Sequence, residues 1–311
     1  MKRTLLIIGV VLLLLGAIFL GISLSKHKEK LVTNTYTIEE NFDSLDIDVS
    51  TSEIIFVKSN ESKAKVVFDE KEKDFHTAEV VDGTLVIRRN NTKKWFEYIF
   101  FFNLNKFKAT IYLPLSTYQD VTIDSSTGNV TIPGDFAFNK VTIDISTGNV
   151  DLKAKVDGAL NVETSTGKVK VADSTFKSAK ITASTGNVQL SNLTITDSLV
   201  ISVSTGNVEA TDVKATDVDI TTSTGKVNLT NVVASGNTKI KTSTGNVVLN
   251  DCDSATFKIK TSTGTVRGTI LTAKIFIASS NTGKASVPHT AEGGMFDVET
   301  DTGDIVIRLA E

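Results

Sequence analysis

The chain has one cysteine in 311 residues, so it cannot form an internal disulfide. It has three histidines, His27, His76 and His289, which lie far apart and lack the short spacings of a zinc site. The Gly-Gly-x-Gly-x-Asp repeat that binds calcium in some β-helices does not occur. The sequence therefore indicates neither a metal nor a cofactor. An exported form of this chain must derive its stability from buried apolar surface.

Signals for catalysis are equally scarce. Asp301-Thr302-Gly303 looks like an aspartic-protease signature, but the chain contains no second Asp-Thr-Gly to complete a dyad. Asp124 and Asp144 occupy equivalent positions of neighbouring repeats, with Glu163 close to the same row. Such a row suits a solvated surface, although some β-helical polysaccharide lyases and hydrolases use carboxylates on one flank. We expect no catalytic residues. A carbohydrate-active β-helical enzyme is the second alternative function.

Ten Thr-Gly pairs recur every 19 or 20 residues, and eight of them are preceded by serine. A fixed period of this length is typical of one structural unit copied along an axis. Glycine suits a tight corner because a positive φ carries no Cβ penalty. We predict that the ten glycines are structural corners: Gly128, Gly148, Gly167, Gly186, Gly206, Gly225, Gly245, Gly264, Gly283 and Gly303.

Apolar residues alternate with polar ones on both sides of each corner, as Val121 and Ile123 do before Gly128. This period of two predicts two strands per copy, each with one buried face. A looser third apolar position follows at Phe136, Val156, Leu193, Val213, Val232, Cys252 and Leu271. The pattern predicts an all-β, single-chain parallel β-solenoid of about ten coils. An antiparallel meander would need about twenty strands in one sheet, which exceeds ordinary sheet sizes.

The N-terminus carries a separate signal. Residues 5–24 contain no charge and are long enough to cross a bilayer as one helix. A short basic head and a long tail favour a cytoplasmic N-terminus and an extracellular C-terminal domain, although a cleaved signal peptide is the competing interpretation. The first 30 residues carry a net charge of +4, which leaves −7 on residues 31–311. That acidic balance argues against nucleic acid as a partner.

The domain organisation follows from these signals: 1–25 a cytoplasmic head and membrane anchor, 26–36 a linker, 37–118 an N-terminal capping β region, and 119–311 the repeat solenoid. Residues 93–107 form an aromatic insert in the capping region. The insert either covers the open end of the first coils or contacts a membrane or partner. Its rings are the weak candidates for binding: Trp95, Phe96, Tyr98, Phe100, Phe101 and Phe102.

Several segments together resemble a known family: the apolar N-terminal helix, Asp48–Phe56 (DVSTSEIIF), Ile111–Pro114 (IYLP) and the iterated I-x-x-STGNV. They are similar to the LiaG-like family of candidate adhesins, a domain of unknown function in the envelope of Gram-positive bacteria. The resemblance covers about residues 31–311. It implies an envelope-exposed β-helical domain and transfers no catalytic residue.

The sequence therefore favours a membrane-anchored, extracytoplasmic binding or structural module of the adhesin type, with an envelope polymer or a membrane sensor protein as partner. A long flank that presents one row of side chains ten times suits weak multivalent contact. A regulatory partner in envelope-stress sensing, acting through the anchor and the aromatic insert, is the main alternative. The Asn or Lys that follows most of the corner glycines is either a sugar-binding row or part of the corner itself.

Overall fold

The computed structural model describes residues 31–72, 74–91, 107–114 and 117–311, as well as Gly9 and Gly16, which are helical. Twenty-five strands in these ranges form one continuous hydrogen-bonded sheet. No helix within the described residues is long and apolar enough to span a membrane. Apart from those two glycines, the predicted anchor at residues 5–24 lies outside the described residues.

Six strands precede the regular repeat: β1 Leu31–Ile38, β2 Ser44–Ser59, β3 Ala64–Lys71, β4 Asp74–Val81, β5 Thr84–Asn91 and β6 Phe107–Pro114. The repeat begins with β7 Thr117–Thr127, β8 Val130–Ile132, β9 Ala137–Thr147, β10 Val150–Leu152, β11 Lys155–Val156, β12 Ala159–Thr166, β13 Val169–Phe176, β14 Ser178–Thr185 and β15 Val188–Ile195. It continues with β16 Ser198–Thr205, β17 Val208–Ala215, β18 Asp217–Thr224, β19 Val227–Thr244, β20 Val247–Thr263, β21 Val266–Ile270, β22 Ile275–Ser280, β23 Ala285–Ser286, β24 Met295–Thr302 and β25 Ile305–Leu309.

Neighbouring coils run parallel and in register. Val121 pairs with Val141, and Val141 pairs with Leu160 one coil further on. After the glycine, Val130 pairs with Val150, which pairs with Val169. Parallel pairing confirms the solenoid of about ten coils and excludes the meander, in which consecutive strands would run antiparallel.

Each coil has three faces. The first face ends at the Thr-Gly corner, the second follows it, and a third carries residues such as Phe176, which pairs with Ile195 in the next coil. Inward side chains of all three faces form one contiguous core, which includes Val121, Val130 and Phe138. β-branched and aromatic residues fill this core because they pack well on a pleated surface.

The third apolar column is buried, with one exception. Cys252 lies in this column and is buried as a free thiol. Leu271, predicted for the same column, is exposed, and Ile270 pairs with Cys252 instead. The pairing shifts between Leu249 and Cys252 because this coil turns one residue earlier than the preceding copies. A period counted from the glycine cannot locate that irregularity.

The N-terminal end is closed by strands that leave the repeat pattern. β2 contributes the first and second faces of a further coil, and its Thr51 pairs with Thr127 of the first regular copy. β5 and β6 pair with the other side of β2. Antiparallel strands then extend both faces outward, since β4 pairs with β5, and β3 pairs with β6 and with β1. Reversing the strand direction ends the parallel stack, so no further coil can add in register.

Two predicted boundaries are wrong in this region. Residues 31–36, predicted as part of a linker, belong to β1 and pair with β3 from Leu31↔Lys71 onward. Their alternation of Val, Asn, Thr and Tyr is too polar for a core strand and suits an edge strand. Phe107, assigned to the aromatic insert, is the first residue of β6 and is buried.

Polar side chains are buried between β1, β3, β4 and β5. One oxygen of the buried Glu70 carboxylate lies 2.7 Å from both the backbone nitrogen and the ring Nδ1 of His76, while the other accepts Asn34 Nδ2 at 2.6 Å. Arg89 donates two hydrogen bonds to Asp74, at 2.6 and 2.7 Å. Such pairing offsets the desolvation cost of burying charge, and it fixes how these strands join.

The two last copies stack in inverted order. β24 pairs with β20, and β22 packs on the outer side of β24, so the final copy lies between its two predecessors. Phe296 is fully buried between Phe257 and Phe276, with ring centroids 4.8 and 5.2 Å away. The copy placed outside has Ala278 and Ala285 where the inner copy has Val298 and Ile305. The more apolar copy thus occupies the position that is covered on both sides.

Candidate binding surface

The predicted aromatic binding residues, Trp95, Phe96, Tyr98, Phe100, Phe101 and Phe102, lie outside the described residues. The described strands show only where the segment between them begins and ends: β5 ends at Asn91 and β6 starts at Phe107. Asn91 pairs with Asp74, and Phe107 pairs with Ser52, at the N-terminal end of the solenoid.

The Thr-Gly corners form one straight edge of the solenoid. Nine of the ten glycines have φ between 140° and 158°, and Gly283 is the exception. A Cβ added at any of the ten would lie only 1.7–2.3 Å from a carbonyl oxygen of the neighbouring coil. The corner therefore requires glycine for two reasons, a conformation that other residues rarely adopt and direct contact between backbones.

Immediately before nine of the ten corner glycines, and before Ser52 at the equivalent position of β2, lies the surface that we call the threonine ridge. Its ten threonines pair in register from coil to coil and are all exposed: Thr51, Thr127, Thr147, Thr166, Thr185, Thr205, Thr224, Thr244, Thr263 and Thr302. In the part of the chain that the structure describes, the hydroxyls of these ten have no hydrogen-bond partner. Thr282, the threonine of the remaining Thr-Gly pair, is not part of the ridge, and it donates to the carbonyl oxygen of Asp301 at 3.3 Å. Successive hydroxyls are separated by about one coil, roughly 4.8 Å.

The position after the glycine belongs to the corner. The side-chain oxygen of Asn149 accepts the backbone N–H of Lys168 at 2.9 Å, and Asn207 accepts that of Lys226 in the same way. Asp304 does the same for Lys284. The side-chain carbonyl is therefore used to join adjacent coils, which decides between the two interpretations of this row in favour of corner chemistry.

A second corner, between the second and third faces, was missed by the sequence analysis. It is formed in five successive coils by Asp or Asn with φ of 51–54°: Asp173, Asn192, Asp212, Asn231 and Asp251. Asn192 Nδ2 donates to Asp173 Oδ1 at 3.0 Å, and Asn231 repeats the contact with Asp212 at 2.6 Å. Asp and Asn tolerate the left-handed region better than other non-glycine residues. Their recurrence six residues after the glycine was the available signal.

The acidic row is longer than predicted. Asp48, Asp124, Asp144 and Glu163 pair successively in register on the outside of the first face. Burial, followed by repulsion from Asp48 and Asp144, raises the pKa of Asp124 above its ordinary value. The described residues contain no group of three or more His, Cys, Asp or Glu side chains that could hold a metal ion.

An open groove of about 530 Å³ lies on the second face near the C-terminus, between β20, β21 and β25. Val248 and Val306 line it together with Arg267 and Arg308. Both arginines are exposed. The groove lies beside the register shift between Leu249 and Cys252. At Gly268, an added Cβ would lie 1.9 Å from the carbonyl oxygen of Leu249.

The chain is similar to several solved structures. A "putative adhesin" from Parabacteroides distasonis ATCC 8503 is 16% identical, with a TM-score of 0.54, and the alignment covers 78% of this chain and 98% of that one. A "putative adhesin" from Bacteroides fragilis NCTC 9343 is 15% identical over 90% of this chain and 97% of that one, with a TM-score of 0.46. A "putative lipid binding protein" from Parabacteroides distasonis ATCC 8503 is 20% identical over 78% and 95%, with a TM-score of 0.45.

The first of these structures, with a TM-score of 0.54 at 16% identity, shows that the fold is shared and shows nothing about function. Among curated proteins, none matches the sequence. The profile of one family, however, matches nearly the whole β region, in two overlapping segments, residues 42–204 and 194–311. The chain belongs to the Toastrack DUF4097 family.

Proposed function

We propose that the protein is a non-catalytic binding module of the adhesin type, anchored in the membrane by residues 5–24 and displayed outside the cell. Within the family, we place it with the LiaG-like members of the Gram-positive envelope. Its partner is a repetitive envelope polymer that contacts the threonine ridge. The observation that carries this proposal is the ridge itself, ten exposed threonines in register with no described protein partner for their hydroxyls.

A repeated row of hydroxyl groups favours a repeated ligand. Each threonine offers one donor and an acceptor, and a single contact of this kind with a solvated polymer contributes little net free energy. Contacts made simultaneously along one rigid edge add through effective concentration. The parallel stack holds the threonines at a constant spacing, so the ridge has little conformational entropy to lose on binding.

The charge of the chain limits the choice of polymer. Residues 31–311 carry −7, so a strongly acidic polymer is repelled at long range. Neutral hydroxyl and amide groups, as in glycans, are compatible with a ridge of threonines. We therefore propose a polymer that is rich in neutral sugar units.

Co-sedimentation of the full-length protein with purified envelope polymer tests the proposal. The ridge variant combines Thr166→Val, Thr205→Val and Thr244→Val, which removes three hydroxyls at almost constant volume. The control combines Thr175→Val, Thr194→Val and Thr211→Val, which are exposed threonines outside the ridge. We expect the ridge variant to bind roughly tenfold more weakly, because multivalent contacts are lost together, and the control to bind as the unmodified protein does. Equal binding by both variants would remove the ridge as the site.

The location has its own test. Protease added to intact cells is expected to degrade the C-terminal domain and to leave the N-terminus protected. Protection of the C-terminus would reverse the proposed topology, whatever the binding assay shows.

A further inference from the structure

The C-terminal end of the solenoid is an open sheet edge. The end coil, residues 275–294, contains β22 and β23, which pair only with β24 and β25 among the described strands. Their outer backbone N–H and C=O groups face away from the stack. A free edge of this kind is a template for pairing with another strand.

Apolar side chains surround this edge. Six large hydrophobic residues are exposed in the described chain, and four of them lie here: Leu271, Ile275, Ile277 and Met295. Ile275 and Ile277 are 47% and 53% exposed, and Ile275 pairs with Met295. Phe276 and Ala278, which point toward the core, are only partly buried because no strand covers them. A cluster of this kind on a soluble surface marks an interaction site.

The usual protections are absent from β22, and Lys284 and Pro288 flank only the two-residue β23. Residues 275–283 contain no charge and no proline, whereas natural free edges are generally blunted by lysine, proline or a bulge. At the opposite end, antiparallel strands close the stack, and β1 there carries polar residues whose side chains are hydrogen-bonded, such as Thr33 to Asp69. The two ends of the solenoid therefore differ in kind: one is capped and the other is not.

We propose that a second copy of this chain covers the open end, with the two β22 strands paired antiparallel about a twofold axis. In a twofold interface the residue on the axis meets its own copy, so a charge at the centre would be repelled by the same charge of the partner. The end coil is neutral, with only Lys284 and Glu292 charged, in a chain whose residues 31–311 carry −7. A partner of different sequence would not require this neutrality, since it could supply the opposite charge.

The side-chain pattern is also self-complementary. In an antiparallel pair, residues directly opposite each other point to the same side of the sheet. Ile275, Ile277 and Ser279 all point outward, so any register that opposes odd positions sets the isoleucines of one copy against the outward residues of the other. When the axis passes through Ile277, Phe276 of one copy lies opposite Ala278 of the other on the inner side, and the two cores become continuous.

Thiol-specific cross-linking of the full-length protein with a bismaleimide tests this arrangement. Ser279→Cys places a thiol on the exposed side of the edge, and Ser204→Cys, on an exposed corner of a middle coil, is the matched control. Cys252 should not react in this assay, because it is buried and burial raises its pKa to about 11. When the axis passes through Ile277, the two thiols lie about 15 Å apart, too far for a disulfide but within reach of a long flexible bismaleimide. With such a reagent at micromolar protein, we expect a covalent dimer from Ser279→Cys and little or none from Ser204→Cys.

Adding Ile277→Lys to Ser279→Cys should abolish the dimer, because a lysine at a free edge opposes strand pairing. Its melting temperature should stay close to that of Ser279→Cys alone, since Ile277 is exposed. If Ser279→Cys cross-links no better than Ser204→Cys, the proposal is wrong, and a foreign strand becomes the candidate for the edge. If the lysine variant still cross-links fully, the copies associate elsewhere, and the proposal is also wrong.

Discussion

Replacing Gly206 with alanine tests the principle on which the whole stack is built. Gly206 lies at the corner of a middle coil with φ of +150°, a region that is essentially restricted to glycine. An added methyl group would lie 1.9 Å from the carbonyl oxygen of Gly186 and 2.6 Å from its carbonyl carbon. Neither atom can move alone, because both belong to the backbone of the preceding coil.

The expected cost has two parts. The unfavourable φ contributes about 1–3 kcal/mol. To relieve the contact, the carbonyl must withdraw by roughly 1 Å, which weakens nearby interactions such as the hydrogen bonds from Gly186 N to Thr205 O and from Gly206 N to Thr224 O, both 2.9 Å. At about 1 kcal/mol for each bond, the total loss is about 3–5 kcal/mol.

Two other glycines serve as controls in the same molecule. At Gly134 an added Cβ would be 3.5 Å from the nearest atom, so alanine should change the stability by less than about 1 kcal/mol. At Gly83 nothing lies within 4 Å, but φ is +75°, so only the conformational cost of about 1 kcal/mol applies. Thermal unfolding followed by circular dichroism should rank the variants as Gly134→Ala, Gly83→Ala and Gly206→Ala, from most to least stable. A Gly206→Ala protein as stable as Gly134→Ala would refute the close packing of the corners.

Three further predictions concern the second corner, the buried cysteine and the acidic row. Asp212→Ala should lower the melting temperature, whereas Asp212→Gly should not, because φ of 54° is strained for alanine and free for glycine, and the contact from Asn231 is minor. Cys252 should resist thiol reagents near pH 8 until the protein unfolds, because burial raises its pKa to about 11; rapid labelling of the native protein would contradict its position in the core. Asp144→Asn should lower the pKa of Asp124, measurable by NMR titration, because it removes a like charge. A raised carboxyl pKa destabilises the fold above the unfolded value of about 3.9, so this variant should gain stability at neutral pH and lose the gain below about pH 4.

The repeat period was sufficient to predict the architecture. Residues such as Val121, Ile123 and Val130 alternate with polar neighbours, and only a parallel stack lets all ten copies bury the same positions at once. The position of Cys252 in an apolar column was predicted for the same reason. These features are local and periodic, and a sequence records them directly.

The surface of the candidate site was only partly predictable. The threonines before each glycine are visible as a repeat, but their exposure depends on how the corner projects from the stack. The role of the row that begins at Asn129 was ambiguous in the sequence. A polar side chain at a corner can either face solvent and bind a ligand or hydrogen-bond to the neighbouring coil. The Oδ1 of Asn149 lies 2.9 Å from the backbone nitrogen of Lys168, and only coordinates show this.

The sequence by itself determined the repeating coil: its period, its buried columns and its glycine corners. The tertiary structure alone decided what happens at the two ends. A sequence period predicts only that each copy stacks on the copy before it. It does not predict that β24 inserts between β20 and β22, or that β3 and β4 run antiparallel to their neighbours. The stacking order at the C-terminal end depends on which copy would expose more apolar surface to water. That comparison involves residues that are distant in the sequence. The last copy, with Phe296, Val298 and Ile305, lies inside because it buries more apolar surface than the copy before it.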